Sequence, residues 1–366
     1  MKVGIITFQR ADNFGAALQC WALQTYLENQ GYDVRVLDYR CKSIELVYSI
    51  LNIRILFSRR NIFKAFVTYW FNICNYSEMH QKHNEYKKFR MVYLHLTESF
   101  SKIEDNIGMD AYIAGSDQIW NFSLLHGFDS NYFLNFPMSK NALKISYAAS
   151  SEFSAFNEFN KYKDLVSKSL NDFDSISVRE DNLKEELRKY TNKSISVCID
   201  PTFLLEKERY EKILEIPKER KYVLIYHMSE TTDAVKLAEH IAEEKGLKVI
   251  EIHASFNSSK DGRHKRNLGP LQILGYIKYA DTVITNSFHG AALSIILKKD
   301  LWVINKYKSA RLINLLSLAG LTSRYIQTLE EYEENQIDYS KVQENMYQSI
   351  ENSKTFLIRS LSKHNL

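Results

Sequence analysis

The sequence has few residues that interrupt regular structure, because its 366 residues include only 4 prolines and 12 glycines. Long disordered linkers depend on such residues and are not expected. No apolar run approaches the ~18 residues that cross a bilayer, so no transmembrane helix is predicted. The chain enters a strand pattern at residues 3–8 with no secretory signal before it. These absences favour a cytoplasmic protein.

Cysteine is scarce and scattered. The four cysteines form no CxxC pair, which argues against a zinc knuckle or a redox motif and fits a reducing compartment. His80 and His83 have helical spacing but no third ligand nearby, so neither a metal site nor a cofactor is predicted. Charge is close to balance, with 48 basic and 44 acidic residues, and gives no sign of nucleic-acid binding.

Strand and helix patterns alternate in two successive series, which predicts an α/β fold with two Rossmann-like domains facing a central cleft. The first domain is expected at residues 1–205, with a helical insertion at about 44–100. The second is expected at residues 206–339, and a helix at 340–366 is expected to pack back on the first domain. The opening βαβ unit lacks GxGxxG, so it is not a standard dinucleotide site.

The insertion mixes large apolar side chains with basic ones over residues 44–75. Its basic residues include Arg54, Arg59, Arg60 and Lys64. One interpretation is a helical insertion that packs on the domain. The other is a basic, aromatic surface that contacts a membrane or a lipid carrier, which would hold the protein at the inner face of the membrane.

Residues 281–305 have the pattern of a strand, a turn, a helix and a second strand. A β-branched run comes first, Ser287 is a good N-cap residue, and residues 288–299 have helical spacing. Backbone N–H groups in a first helical turn attract anions, and open α/β sheets bind ligands at the carboxyl ends of their strands. His289 and Gly290 fall in that turn, so we predict an anion site there.

Six short motifs follow one another along the chain. They are NFGAALQ at residues 13–19, GSDQIW at 115–120, SVRE at 177–180, DPT at 200–202, NSFHG at 286–290, and SAR at 309–311 before a helix ending in AGL. In this order they resemble the polysaccharide pyruvyl transferase family, over most of residues 1–325. The resemblance implies a fold similar to GT-B glycosyltransferases. It also implies transfer of pyruvate, as a cyclic ketal, from phosphoenolpyruvate to a sugar of a capsular polysaccharide, an exopolysaccharide or a cell-wall glycan precursor, with a lipid-linked oligosaccharide as the acceptor.

His289 is the leading candidate for proton transfer. A bound phosphate or carboxylate would favour its charged form, which could protonate the methylene carbon of phosphoenolpyruvate. In its neutral form it could take a proton from a sugar hydroxyl. The alternative is a structural capping histidine. The better-studied branch of the family has Arg-Leu-His where this chain has Ser287, Phe288 and His289, so serine stands in the place of that arginine.

The resemblance also indicates cations that bind the donor. Arg179 matches a family arginine that binds it, and a planar guanidinium suits carboxylate or phosphate. The alternative for Arg179 is a surface salt bridge with a neighbouring carboxylate. The family carries a further basic residue near the strand that ends at residue 304. Arg311 is favoured for this role, Lys308 comes next, and Lys306 is the third candidate.

Four residues are candidates for binding the sugar acceptor. Asp117 follows a strand and could orient or deprotonate a hydroxyl group, or form an Asx turn instead. Trp120 could stack on a sugar ring, although packing is the favoured interpretation. Asp12 and Asn13 precede the first helix and could bind hydroxyl groups, or cap that helix.

Two other functions stay open. A GT-B-type glycosyltransferase that uses a nucleotide-sugar in surface polysaccharide synthesis would need a ribose-binding carboxylate, for which Glu251 is the one candidate found. A non-catalytic glycan-binding protein predicts that Arg179 and His289 lie apart and face solvent. His227 and His253 also end predicted strands and are further pocket candidates.

Overall fold

The computed structural model of the chain contains two compact units. The structure describes residues 1–50, 70, 73–228, 232–253, 263–306 and 309–362. The first unit comprises Met1–Tyr48, Lys88–Leu205 and Gln348–Leu366, and the second comprises Ser49–Lys87 and Glu206–Tyr347. Each unit is built around one parallel sheet.

The first unit contains a six-stranded sheet in the order β2-β1-β3-β4-β5-β6, with parallel pairing throughout. Its strands are β1 (Lys2–Ile6), β2 (Asp33–Val36), β3 (Ala111–Ala114), β4 (Leu143–Ala149), β5 (Ser175–Val178) and β6 (Ile195–Val197). The order 2-1-3-4-5 is that of a flavodoxin-like sheet, in which the strand order reverses between the first and third strands. A ligand is therefore expected at the carboxyl ends of β1 and β3.

The second unit contains another six-stranded parallel sheet, in the order β12-β11-β10-β7-β8-β9. Its strands are β7 (Tyr222–His227), β8 (Lys248–His253), β9 (His264–Lys265), β10 (Thr282–Thr285), β11 (Asp300–Ile304) and β12 (Tyr325–Ile326). Numbered from β7, this is the 3-2-1-4-5-6 order of a Rossmann sheet. Its switch point lies between β7 and β10.

Helices connect the strands in both units. The α-helices described are α1 (Phe14–Asn29), α2 (Lys42–Val47), α3 (Tyr76–Tyr93), α4 (Phe122–Leu125), α5 (Lys163–Asp172), α6 (Asp181–Leu187), α7 (Lys207–Glu211), α8 (Thr232–Lys245), α9 (Pro270–Tyr279), α10 (Phe288–Ile296), α11 (Ala310–Ala319) and α12 (Tyr339–Ser362). Short 3₁₀ helices occur at Ser130–Phe133, Phe153–Tyr162, Pro201–Leu204, Thr322–Arg324 and Leu329–Glu331.

The predicted class, α/β with two Rossmann-like domains, is confirmed by these two sheets. Strands β3, β7 and β10 are buried along their whole length. Parallel sheets need such strands because helices cover both of their faces. The facing arrangement of the two domains stays a prediction.

The structure differs from the predicted elements in a few places. The helix expected over residues 288–299 ends at Ile296, and Lys298 adopts the left-handed conformation with φ 55°. A residue in that conformation cannot continue an α-helix. Strands β9 and β12 were not predicted, since two residues carry no measurable periodicity.

The predicted insertion at about 44–100 is divided between the units. Of the residues in this range that the structure describes, 49–50, 70 and 73–87 cluster with the second unit. A hydrogen bond of 3.0 Å from Asn267 Nδ2 to Gln81 Oε1 is one contact responsible. The basic residues named above fall within residues 51–69 and lie outside the described residues. Among the helices that are described, none combines the length and the apolar character needed to cross a bilayer.

Helix α12 was predicted to pack on the first domain. The helix begins in the second unit, and its residues from Gln348 onward cluster with the first. There the buried hydroxyl of Ser353 accepts a hydrogen bond from the Ile199 N–H at 2.9 Å. This bond satisfies a backbone donor just beyond β6.

A stability prediction follows from Arg324, a buried cation in the second unit. Its guanidinium donates to Asp300 Oδ1 at 2.7 Å and lies 4.3 Å from the ring centroid of Trp302. Arg324→Met is expected to lower the free energy of unfolding by about 3 kcal/mol in urea denaturation, because it removes an ion pair and a cation–π contact. Lys245→Met, which breaks a surface pair with Glu334, should change it by less than about 1 kcal/mol. Equal effects would contradict the prediction.

Candidate functional site

The start of helix α10 lies at the switch point of the second sheet. Strand β10 ends at Thr285, and Ser287 caps the helix, with its Oγ accepting from the Gly290 N–H at 3.4 Å. The N–H of Ser287 donates in turn to Thr285 Oγ1 at 3.0 Å. The predicted strand, turn and helix therefore form, and the first helical turn stands at the carboxyl edge of the sheet.

Gly290 allows this helix to start close to two strands. A Cβ at this position would lie 2.5 Å from Thr285 Oγ1 and 2.8 Å from the ring of Tyr226 on β7. Asn286 ties the same strands together, because its Oδ1 accepts from the Met228 N–H at 2.8 Å. The first turn of α10 therefore packs closely against β7 and β10, and a side chain larger than that of glycine at position 290 would push it away.

His289 is the second residue of α10 and is 8% exposed. Its ring meets Phe288 edge to face, with the ring centroids 5.1 Å apart. The side chain is buried at the helix start, whereas the non-catalytic hypothesis expected it to face solvent. Its role in proton transfer stays a prediction.

The basic residues expected to bind the donor differ in their placement. Arg311 is the second residue of α11 and is partly buried. Lys306 follows β11 and is exposed, and Lys308 lies outside the described residues. Of Lys306 and Arg311, Arg311 is the better candidate for binding the donor, because it lies at a helix start and helix starts favour anions.

In the first unit, Arg179 follows β5 and lies in a buried network of ion pairs. Its Nη1 donates to Asp200 Oδ2 at 2.7 Å, its Nε to Glu180 Oε1 at 3.0 Å and its Nη2 to Ser150 Oγ at 2.9 Å. Ser150 Oγ donates to the same Glu180 oxygen at 2.7 Å. All four residues are buried, so the surface salt bridge considered from the sequence is an internal one.

This network fixes the charge of Arg179. Burial by itself lowers the pKa of the guanidinium, but Glu180 and Asp200 outweigh burial and raise that pKa above its ordinary value. Two carboxylates against one guanidinium leave a net negative charge. A donor phosphate would therefore compete with partners that Arg179 already has, and its assignment as a donor ligand stays a prediction.

The same network joins four of the six motifs. Ser116 Oγ lies 3.5 Å from Asp200 Oδ2, and the Ser116 carbonyl accepts from Thr7 Oγ1 at 2.9 Å. Thr7 Oγ1 accepts in turn from Gln19 Nε2 at 2.9 Å. Gln19, Ser116, Arg179 and Asp200 belong to different motifs, so hydrogen bonds connect four of the six motifs in the folded chain.

Asp117 lies at the switch point of the first sheet, just beyond β3. Its φ of 70° is left-handed, and the preceding Gly115 has φ 124°. A Cβ on Gly115 would overlap the carbonyl oxygen of Tyr147, so this position requires glycine. Asp117 Oδ1 accepts from the Gln118 N–H at 2.9 Å. The carboxylate thus makes a local turn contact and remains partly exposed.

Asp12 and Asn13 lie at the carboxyl end of β1, on the other side of this switch point. Asn13 Oδ1 accepts from the Ala16 N–H at 3.1 Å, which confirms the capping interpretation. Asp12 is buried and accepts from Arg90 Nη1 at 2.8 Å. Binding of an acceptor by either residue stays a prediction.

Tyr48 belongs with these residues and was missed from the sequence. Its hydroxyl hydrogen-bonds with Asn13 and lies near Asp117 and Asp12. Burial raises the pKa of the phenol, and the Asp117 carboxylate raises it further. The hydroxyl group of Tyr48 therefore shares its electrostatic surroundings with the acceptor candidates. No local pattern could have indicated this, because the tyrosine sits in the apolar, basic stretch that resembled an insertion.

Trp120 requires a correction. It is fully buried, its Nε1 donates to the Tyr132 carbonyl at 3.1 Å, and its ring stacks on Phe133 with centroids 5.1 Å apart. The suggested contact with a sugar is therefore wrong. A large indole with a satisfied N–H is most stable inside an aromatic core, as here.

Glu251, the carboxylate needed by the glycosyltransferase alternative, is buried among basic groups. Its Oε1 lies 2.9 Å from His227 Nε2, and its Oε2 lies 3.3 Å from Arg263 Nε and 3.4 Å from His264 Nδ1. The chain itself thus engages both oxygens. The side chain of His253 lies outside the described residues. Within the described ranges, no group of three His, Cys, Asp or Glu side chains could hold a metal ion.

The two sheets, with polar residues at both switch points, define a two-unit α/β protein of the Rossmann-like class. The family described as polysaccharide pyruvyl transferase matches residues 13–305, which is most of the chain. The chain belongs to the polysaccharide pyruvyl transferase family and is a transferase, so the resemblance seen in its motifs is confirmed. The family implies a sugar or polysaccharide acceptor. No curated protein sequence matched the chain.

Solved structures with a similar chain trace are only distantly related. UDP-N-acetylglucosamine 2-epimerase from Rickettsia bellii is 10% identical, with 100% of this chain and 97% of that chain covered and a TM-score of 0.46. UDP-GlcNAc 2-epimerase from Neisseria meningitidis, bound to UDP-GlcNAc, is 11% identical, with coverage of 98% and 94% and a TM-score of 0.45. The E. coli heptosyltransferase WaaC with ADP is 13% identical, with coverage of 95% and 100% and a TM-score of 0.39.

Arg179→Met tests the buried network. The substitution leaves two carboxylates without their cation and is expected to lower the free energy of unfolding by about 3–5 kcal/mol, measured in urea. Adding Asp200→Asn should restore part of the loss, because it removes one of the uncompensated charges. Arg188→Met, which breaks an exposed pair with Glu185, should stay within about 0.5 kcal/mol of the parent. If Arg179→Met is as stable as the parent protein, the buried network does not contribute to stability as predicted.

Proposed function

We propose that this protein transfers pyruvate from phosphoenolpyruvate to two hydroxyl groups of a sugar and so forms a cyclic ketal. The acceptor is a sugar of a capsular polysaccharide, an exopolysaccharide or a cell-wall glycan precursor. The family match over residues 13–305 carries the proposal. The burial of His289 at a helix start on the edge of a parallel sheet supports it.

In this proposal the first turn of α10 binds an anionic group of the donor. The positive end of the helix dipole lies at this turn and favours a phosphate or carboxylate there. Ser287 and Gly290 bring the backbone of this turn to the ligand. Serine replaces the arginine found in the better-studied branch, so the positive charge comes from Arg311, with Lys308 as the next candidate and Arg179 as the residue that the family indicates.

His289 carries the proton. Its imidazolium protonates C3 of phosphoenolpyruvate, and C2 becomes an oxocarbenium-like centre. One sugar hydroxyl adds to C2, phosphate leaves with cleavage of the C2–O bond, and the second hydroxyl closes the ketal. Of the two protons that the hydroxyls lose, one balances the proton placed in the new methyl group and the other leaves with phosphate. The histidine is thereby restored.

The acceptor is proposed to bind at the switch point of the first sheet. Asp117 orients or deprotonates the attacking hydroxyl, because its carboxylate is partly exposed there. Asn13, Asp12 and the hydroxyl of Tyr48 are proposed to contribute further hydrogen bonds to the acceptor. A lipid-linked oligosaccharide as acceptor would place the reaction in the cytoplasm at the inner face of the membrane, where residues 44–75 are the proposed contact.

Replacement of His289 tests its proposed role. His289→Ala is expected to lower kcat for acceptor-dependent phosphate release from phosphoenolpyruvate by about 10²- to 10⁴-fold, the range typical of a lost general acid. His240→Ala is the matched control, because that exposed histidine on α8 forms an i,i+4 surface pair with Glu244 and an edge-to-face contact with Tyr332, neither of which involves a proposed site residue. Near parental turnover in His289→Ala would remove His289 from the mechanism.

Thermal shift separates the proposal from the glycosyltransferase alternative. Phosphoenolpyruvate at 100 times its Kd should stabilise the protein by about 2.7 kcal/mol and raise Tm, whereas nucleotide-sugars should leave Tm unchanged. Inorganic phosphate serves as the control for a non-specific anion effect. Stabilisation by a nucleotide-sugar alone would favour the alternative. Phosphate release that depends on an added lipid-linked oligosaccharide would then identify the acceptor class.

A further inference from the structure

The turn that follows β4 presents an aromatic side chain to solvent. Phe153 is 72% exposed, and its ring is held edge to face against the buried Phe156, with centroids 5.3 Å apart. Isolated exposed apolar residues are common and need no function. The position of this one, at the carboxyl edge of the first sheet, is what gives it significance.

The backbone of this turn pairs directly with the backbone of Asp117. The Ser150 N–H donates to the Asp117 carbonyl at 2.9 Å, and Asp117 forms a parallel β-bridge with Ala149. Phe153 follows Ser150 by three residues, which span at most about 11 Å. The exposed ring therefore lies within the length of a short oligosaccharide from the carboxylate that is proposed to meet the acceptor.

Two buried polar atoms beside the turn point to a ligand as well. Ser151 Oγ and Glu180 Oε2 belong to residues that are each 2% exposed, and neither has a hydrogen-bond partner in the part of the chain that the structure describes. A buried carboxylate oxygen without a donor is destabilising, so a partner from outside the chain is expected. Sugar hydroxyls supply such donors, either directly or through an ordered water.

We propose that Phe153 is the platform against which the apolar face of an acceptor pyranose ring packs, while hydroxyl groups of that sugar satisfy Ser151 and Glu180. A pyranose carries C–H groups on one face and hydroxyl groups around its rim, which matches an aromatic ring next to buried acceptors. Phe153 thereby takes the stacking role that the sequence suggested for Trp120. The inference rests on the proposed function only in that the acceptor is a sugar.

Saturation-transfer NMR without donor tests this subsite. The full chain is mixed with the methyl pyranosides of glucose, galactose, mannose and N-acetylglucosamine, and transfer to their ring C–H protons is measured. At least one pyranoside should bind the parent protein, and Phe153→Ala should bind it about 3- to 10-fold more weakly, as expected for a lost aromatic contact. Phe153→Tyr should retain binding. Leu165→Ala, at another exposed apolar residue of the first unit, should match the parent.

Parental binding by Phe153→Ala, or no binding of any pyranoside by the parent protein, overturns the subsite. Because Phe153 is exposed, its variants are expected to keep the parental Tm, which thermal unfolding verifies. This binding test does not depend on whether the protein transfers pyruvate. If pyranoside binding depends on Phe153 but phosphoenolpyruvate gives no phosphate release, the proposed function fails and the subsite stands. If the protein releases phosphate from phosphoenolpyruvate but Phe153→Ala leaves the KM for the acceptor unchanged, the subsite fails and the proposed function stands.

Discussion

The pairing of Arg179 with Asp200 and Glu180 is the interaction on which the ligand edge of the first unit depends. It connects the ends of β5 and β6, and through Ser150 and Ser116 it reaches β4 and β3. Buried charges of this kind are stable only when every partner is in place, so the network imposes one arrangement on the loops above it. The turn that carries Asp117 rests on that arrangement.

The two switch points have opposite electrostatic character. At the second sheet, the positive end of the α10 helix dipole lies around His289. At the first sheet, two carboxylates outnumber Arg179, and the Asp117 carboxylate lies nearby, whereas Asp12 is paired with Arg90. The dipole at the second edge therefore favours an anion, while the excess of carboxylates at the first edge suits a neutral ligand rich in hydroxyl groups. This difference supports separate roles for the two units in the proposed transfer.

Local patterns predicted most of the fold because the decisive signals are local. The β-branched run of β10, the Ser287 cap and the apolar spacing of α10 all lie within a few residues of one another. Contacts between distant segments could not be predicted in this way. A motif that contains Trp120 does not reveal which way the indole points. The meeting of Tyr48 with Asn13 depends on how the chain returns to the sheet edge. The two-residue strands β9 and β12 exist only because neighbouring strands offer them partners.

Tyr48 is also the last residue of its segment in the first unit, since the chain enters the second unit at Ser49. Its side chain meanwhile contacts Asn13 beside Asp117. The surroundings of Asn13 and Asp117 thus depend on a residue that is distant from both in the sequence. A substitution of Tyr48 would alter the electrostatics of this sheet edge without changing either residue.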